Sequence, residues 1–259
     1  MVEEILVEAE LGEIPSFLGL ETWRYEEYFD PRSEAAKDFT LELEKLVLDA
    51  RLDEHPFFEL AINSRHALDL WVSQELVMTN AFSQLVLRAA SQIRNVHVRA
   101  ILTEIAYGEH GRARGGFAKR AHPWLLERMR MSIGLDRHRV KPQRPTTEFI
   151  RRLANRLTEP LEAVAFIGIG NERLIAPEYA AVRRCFQALT PDADFEPFLK
   201  ANIDEDITHA RLCYELGGIL VRNDADETIF LDAASASIDS RVKYFDDLLV
   251  LAKSIEQDE

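Results

Sequence analysis

Cysteine is scarce in this chain. Two residues of 259, Cys185 and Cys213, are all it has. So few exclude a disulfide scaffold of the secreted kind and a zinc site built on thiolates. Both cysteines are expected to serve as small buried hydrophobes. Long apolar runs are missing too. None approaches the roughly 20 residues needed to cross a bilayer. The acidic start, Met1-Val-Glu-Glu-Ile-Leu-Val-Glu8, lacks the basic and apolar parts of a signal peptide, so the expected location is the cytoplasm. Positive charge is in deficit: 31 Lys and Arg stand against 45 Asp and Glu, a net charge of −14. An acidic surface repels nucleic acid and anionic lipid, and neither is expected as a partner. Strand-like alternation is nearly absent, and no internal repeat or Gly/Ser/Pro-rich linker occurs. There is no phosphate-binding loop, no Gly-x-Ser-x-Gly elbow and no His-Glu-x-x-His. Gly168-Ile-Gly170 lacks the preceding strand and the third glycine of a dinucleotide site.

What is present is helical periodicity over a sequence that is 47% hydrophobic. One domain is expected over 1–259, with an irregular segment at 1–33 and a core over about 34–256. Ser33 reads as an N-cap for a helix from Glu34 to Leu52, with Phe39, Leu41, Leu43, Leu46, Val47 and Leu48 facing the core. His55-Pro56 breaks it. Further helices are predicted over Leu60–Ile93, Val96–Glu109, His122–Ile133 with Gly134 as its stop, and Thr147–Leu157. The Arg-rich segment Arg112–Arg120 and the basic stretch Arg137–Thr147 read as loops. Pro160 opens a long helix to about Leu189 that contains Gly168 and Gly170. Two more run from Asp194 or Glu196 to Val221 and from Glu227 to Ile255. The fold class is all-α, a bundle of seven or more helices.

Charged residues interrupt this pattern at a few places. In a helix Asn202, Asp206 and His209 recur at spacings of four and three, so they share a face with Glu205 at its edge. The plain alternative is a surface acid–imidazole pair. Glu172 stands in the apolar run Phe166–Ile175. A buried carboxylate there requires a partner or a metal, unless the helix face turns outward. Glu104, Glu109 and His110 close one helix, and Ala121-His-Pro-Trp124 opens the next. Carboxylates and imidazoles gathered inside a bundle can hold iron or manganese. The paired Glu-x-x-His pattern of ferritin-like bundles is not met, since only His209 has an acid three residues before it. His66, His97 and His138 are expected to be structural.

Four short motifs carry a resemblance. They are His55-Pro-Phe57 before a helix with Trp71 and Gln74-Glu75; Glu109-His-Gly111 with Ala121-His-Pro-Trp-Leu-Leu126; Gly170-Asn-Glu172 with Pro177; and the Asn202/Asp206/His209 helix. Over roughly residues 40 to 250 the chain resembles the haem-oxygenase-like di-iron oxidases, which share their fold with thiaminase II and pyrroloquinoline quinone synthase. The resemblance implies a haem-oxygenase-like helical bundle and iron ligands at Glu109, His122, Glu172, Asp206 and His209. It makes Glu75 the candidate for a further Glu that some members use. Asn202 stands where many members carry a histidine, which implies two irons with one held weakly, or a single iron, with manganese as an option. Glu104 and His110 are alternatives to Glu109 and His122. The implied activity is dioxygen-dependent oxidation of a small organic substrate by decarboxylation, C–C cleavage, desaturation or N-oxygenation. A metal-free enzyme of the same fold and a non-enzymatic helical interaction protein are the alternatives. The expected partners are the substrate and dioxygen, with a homodimer left open.

Overall fold

The computed structural model describes residues 36–111 and 120–257. The segment 1–33, the Ser33 cap and most of the Arg112–Arg120 loop lie outside them. No strand occurs among the described residues. No helix there is long and apolar enough to cross a membrane. The helices are α1 (Thr40–Ala50), α2 (Pro56–Ala61), α3 (Arg65–Gln92), α4 (Val96–Glu109), α5 (His122–Ser132), α6 (Arg144–Arg156), α7 (Pro160–Ala165), α8 (Ile175–Leu189), α9 (Glu196–Leu220) and α10 (Asp224–Gln257). A π-helical segment, Phe166–Arg173, joins α7 to α8.

Several boundaries differ from those predicted. Helix α1 begins at Thr40, whose N–H donates to Asp38 Oδ1 at 2.9 Å. It ends where Arg51 adopts φ +44°, a left-handed conformation that cannot continue the helix. Leu41 and Leu48 are 84% and 69% exposed, so only Phe39, Leu43 and Val47 of that predicted face are buried. The helix predicted from Leu60 is divided: α2 stops at Ala61, and Ser64 caps α3 by accepting from the Ala67 N–H at 3.2 Å. Helix α6 starts at Arg144, inside the predicted loop, because Pro145 is favoured in a first turn. The single helix predicted from Pro160 widens into a π turn, in which the Leu174 N–H reaches Ile169 O at 3.1 Å, five residues back.

That π segment is wedged between α9 and α10, and its glycines make the fit. A Cβ on Gly168 would lie 2.2 Å from Cys213 Cβ on α9, and one on Gly170 would lie 1.9 Å from Ser237 Oγ on α10. The core runs through the whole bundle, with Phe57, Phe58, Phe149, Tyr244 and Phe245 among its aromatics. Helix α3 crosses it, which brings Trp71, Glu75, Thr79 and Phe82 onto one buried face.

Candidate metal centre

Each candidate ligand lies on the core face of its helix. Asn95 caps α4 by accepting from the His97 and Val98 N–H groups at 2.9 and 3.2 Å. From that start Val98, Leu102, Ile105 and Glu109 follow the helical register into the interior. On α9 the buried row is Phe198, Asn202, Asp206, His209 and Cys213. Glu172 is turned inward by the π segment and His122 opens α5. The neighbouring Arg173 points the other way, to Glu44 Oε1 and Oε2 at 2.8 and 2.7 Å.

These side chains meet in two groups. Glu109, His122 and Asp206 offer donor atoms within 4.8 Å of one another, as do Glu172, Asp206 and His209. Asp206 belongs to both. His122 Nδ1 lies 3.1 Å from Glu109 Oε2, and His209 Nδ1 lies 3.3 Å from Glu172 Oε2. Glu109, His122, Glu172, Asp206 and His209 are all at most 4% exposed. Glu205 stands at the rim, its Oε2 3.9 Å from His122 Nε2. Helix α4 approaches through Gly108, where a Cβ would lie 2.9 Å from His209 Cε1.

Electrostatically the site calls for positive charge. Burial raises the Asp206 carboxyl well above its ordinary range, and the nearby Glu172 and Glu109 raise it further. Burial also raises Glu172, against the pull of His209. Burial alone would lower the His209 and His122 imidazoles, but Glu172 and Glu109 respectively outweigh it and raise them. Glu172 Oε1, Asp206 Oδ1 and His209 Nε2 are buried without a hydrogen-bond partner among the described residues. Unpaired buried carboxylate oxygens are costly, and a cation satisfies them. A mixed set of carboxylate oxygens and imidazole nitrogens suits iron or manganese, so the residues present fit the implied metal.

Glu75 and Asn202 line a small cavity, of about 30 Å³, together with Glu109 and Asp206. Burial raises Glu75, whose Oε1 accepts from Tyr179 at 2.8 Å and Thr79 at 3.4 Å, while its Oε2 has no partner. Behind it Arg241 donates to Glu178 Oε2 from Nε at 2.9 Å and Nη2 at 2.6 Å, and Trp71 donates to Glu178 Oε1 at 3.2 Å. Burial pushes Glu178 up to about 7 despite that arginine. Glu104 and His110 are exposed and stand apart from the cluster. The sequence reading did not single out Asn171, Glu178, Tyr179 or Arg241. For Arg241 a signal existed, because it shares the helical register of the buried Ala234, Ile238, Tyr244, Phe245 and Leu248.

Comparison with curated proteins found no match. The fold, however, recurs in solved structures. A CADD-like protein of unknown function from Nostoc punctiforme superposes with a TM-score of 0.66 at 18% identity, covering 82% of this chain and 99% of that one. A domain of unknown function with a heme oxygenase-like fold from Shewanella denitrificans gives 0.66 at 19% identity, covering 85% and 95%. A TenA homolog from Pseudomonas syringae pv. tomato gives 0.65 at 11% identity, covering 84% and 97%. The bundle is therefore haem-oxygenase-like. The sequence pattern described as iron-containing redox enzyme matches residues 69–242, which span every clustered carboxylate and imidazole, and the chain belongs to that family.

Proposed function

We propose that this protein is a non-haem iron-dependent oxidase or oxygenase that uses dioxygen on a small organic substrate. In this reading Glu109, His122 and Asp206 hold one iron and Glu172, Asp206 and His209 a second, with Glu75 as a further carboxylate. The observation that supports it best is that one buried aspartate is common to two tight groups of donors. Iron held there would supply one-electron redox chemistry towards dioxygen. The chain's own part is to orient and to exclude water. Glu109 and Glu172 fix the two imidazole rings through their Nδ1 atoms. The π segment and α9 wall the site off from solvent. Asn202 leaves one imidazole fewer than many relatives of this kind have, so one iron is held less firmly. A thiolate mechanism of the thiaminase kind finds no support, because both cysteines are buried, with Cys185 pushed up to about 11 and Cys213 also raised, in each case chiefly by burial.

The test is metal analysis of protein produced with iron and handled without chelator, followed by dioxygen uptake by the ferrous form. Retained iron and measurable uptake are expected, the iron reduced and the uptake lost in His209→Ala. Iron-free protein that consumes no dioxygen when supplied with ferrous iron would contradict the proposal.

A further inference from the structure

The cavity beside the carboxylates has a one-sided polarity. The Asn171 amide nitrogen donates to Phe166 O at 2.7 Å. Only the NH₂ end of an amide can donate to a carbonyl, so its oxygen is the end left over. Asn171 is 6% exposed, lines the cavity, and its Oδ1 has no partner among the described residues. The Asn202 NH₂ is held in the same way, donating to Phe198 O at 2.7 Å. The hydroxyl protons of Tyr179 and Thr79 are committed to Glu75. Arg241 directs Nε and Nη2 at Glu178. The buried polar atoms of the wall without a partner among the described residues are Asn171 Oδ1, Glu75 Oε2 and Asp206 Oδ1, all of them oxygens. Met78, Phe82 and Ile175 give the cavity apolar lining as well.

We infer that this cavity seats a primary amine of the substrate, with Asn171 Oδ1 as its acceptor and its alkyl chain against Met78, Phe82 and Ile175. A hydroxyl gives that oxygen a neutral hydrogen bond, whereas an ammonium gives it a charge-assisted one and has further protons for Glu75 Oε2, which also lacks a partner. A carboxylate would face unpaired acceptors and an arginine already paired. The inference names the substrate class of the proposed oxidase. It rests on that reading for what becomes of the amine, while the binding is testable by itself.

The test titrates n-butylamine, 1-butanol and butyrate into the purified full-length protein by calorimetry, with iron content measured on the same samples. Butylamine should bind at least about tenfold more tightly than either of the others, the scale of one charge-assisted hydrogen bond. Asn171→Leu should lose about tenfold of that affinity and keep its iron. Should Asn171→Leu not fold, Ile175→Phe, which enlarges the apolar lining, must weaken butylamine binding likewise. Butanol or butyrate binding as well as butylamine would overturn the inference, as would unchanged butylamine binding in folded Asn171→Leu. Iron retained without amine preference defeats this inference and leaves the oxidase reading standing. Amine preference in protein that cannot hold iron does the reverse.

Discussion

At the scale of single residues the centre is a set of buried charges whose mutual repulsion is relieved only by protons or a cation. Two substitutions probe how its imidazoles are held. In Gly108→Ala the new Cβ would press on the His209 ring, 2.9 Å from Cε1 and 3.0 Å from Nε2. We expect a stability loss of about 1–3 kcal/mol and weaker iron retention, read by urea titration and metal analysis. Asn202→His adds a nitrogen donor one turn before Asp206 on the same face and should raise iron or manganese retention, whereas His209→Ala should lower it. Equal metal content in these two variants and wild type would remove this helix face from the site. Much at this scale was legible in advance. Asp206 and His209 declare a shared face by spacing alone, and Glu172 is conspicuous as the lone acid in an apolar run. Asn171 was not legible, because its burial depends on a π turn that no local pattern announces. Tyr179 reads as core, and only the arrival of Glu75 from a helix about a hundred residues earlier makes it a hydrogen-bond donor to the site.

Among the elements, the π segment does most to place the chemistry. Its glycines admit α9 and α10 to close contact, and the widened turn points Asn171 and Glu172 inward. Gly170→Ala would drive a methyl to 1.9 Å from Ser237 Oγ and 2.9 Å from its carbonyl oxygen. Backbone cannot yield cheaply, so a loss of about 3 kcal/mol is expected by denaturant titration. A loss below about 1 kcal/mol would show the segment to be loosely packed. Between α8 and α10 the Glu178–Arg241 pair is fully buried. Arg241→Met strands a carboxylate and should cost about 3–5 kcal/mol, while the added Glu178→Gln should restore part of it, as a double-mutant cycle would measure. Glu178 also predicts a pH dependence. Its folded pKa of about 7 lies above the usual 4.5, so its contribution is fully present below about pH 4.5 and fades as pH rises through 7. Glu178→Gln should flatten that part of the stability profile, whereas an unchanged profile would show the carboxyl to be ionised throughout. The helices themselves were readable wherever apolar period and caps agreed, as in Val96–Glu109. They were misread where a local widening, a left-handed residue or a proline in a first turn decided the boundary.

Over the whole molecule, the all-α class follows from apolar periodicity that recurs in every long segment. The haem-oxygenase-like arrangement needed more than periodicity, because several bundle topologies satisfy the same pattern. What selected it was the order of short polar motifs, which the fold draws from α3, α4, α5, the π segment and α9 into one interior. A cation that binds only the folded chain should stabilise the whole bundle, by about 4 kcal/mol at a concentration a thousandfold above its dissociation constant. Melting temperature should therefore rise on addition of ferrous or manganous ion, and an unchanged melt would argue against an internal site. The central claim is that two donor groups share Asp206, and it predicts an asymmetry among variants. The decisive measurement is iron per chain, after anaerobic loading and desalting, in wild type, His122→Ala, His209→Ala and Asp206→Ala. Each histidine variant should retain part of the wild-type iron, with His209→Ala the more depleted, and Asp206→Ala should retain none. Asp206→Ala that keeps as much iron as wild type would contradict the shared centre.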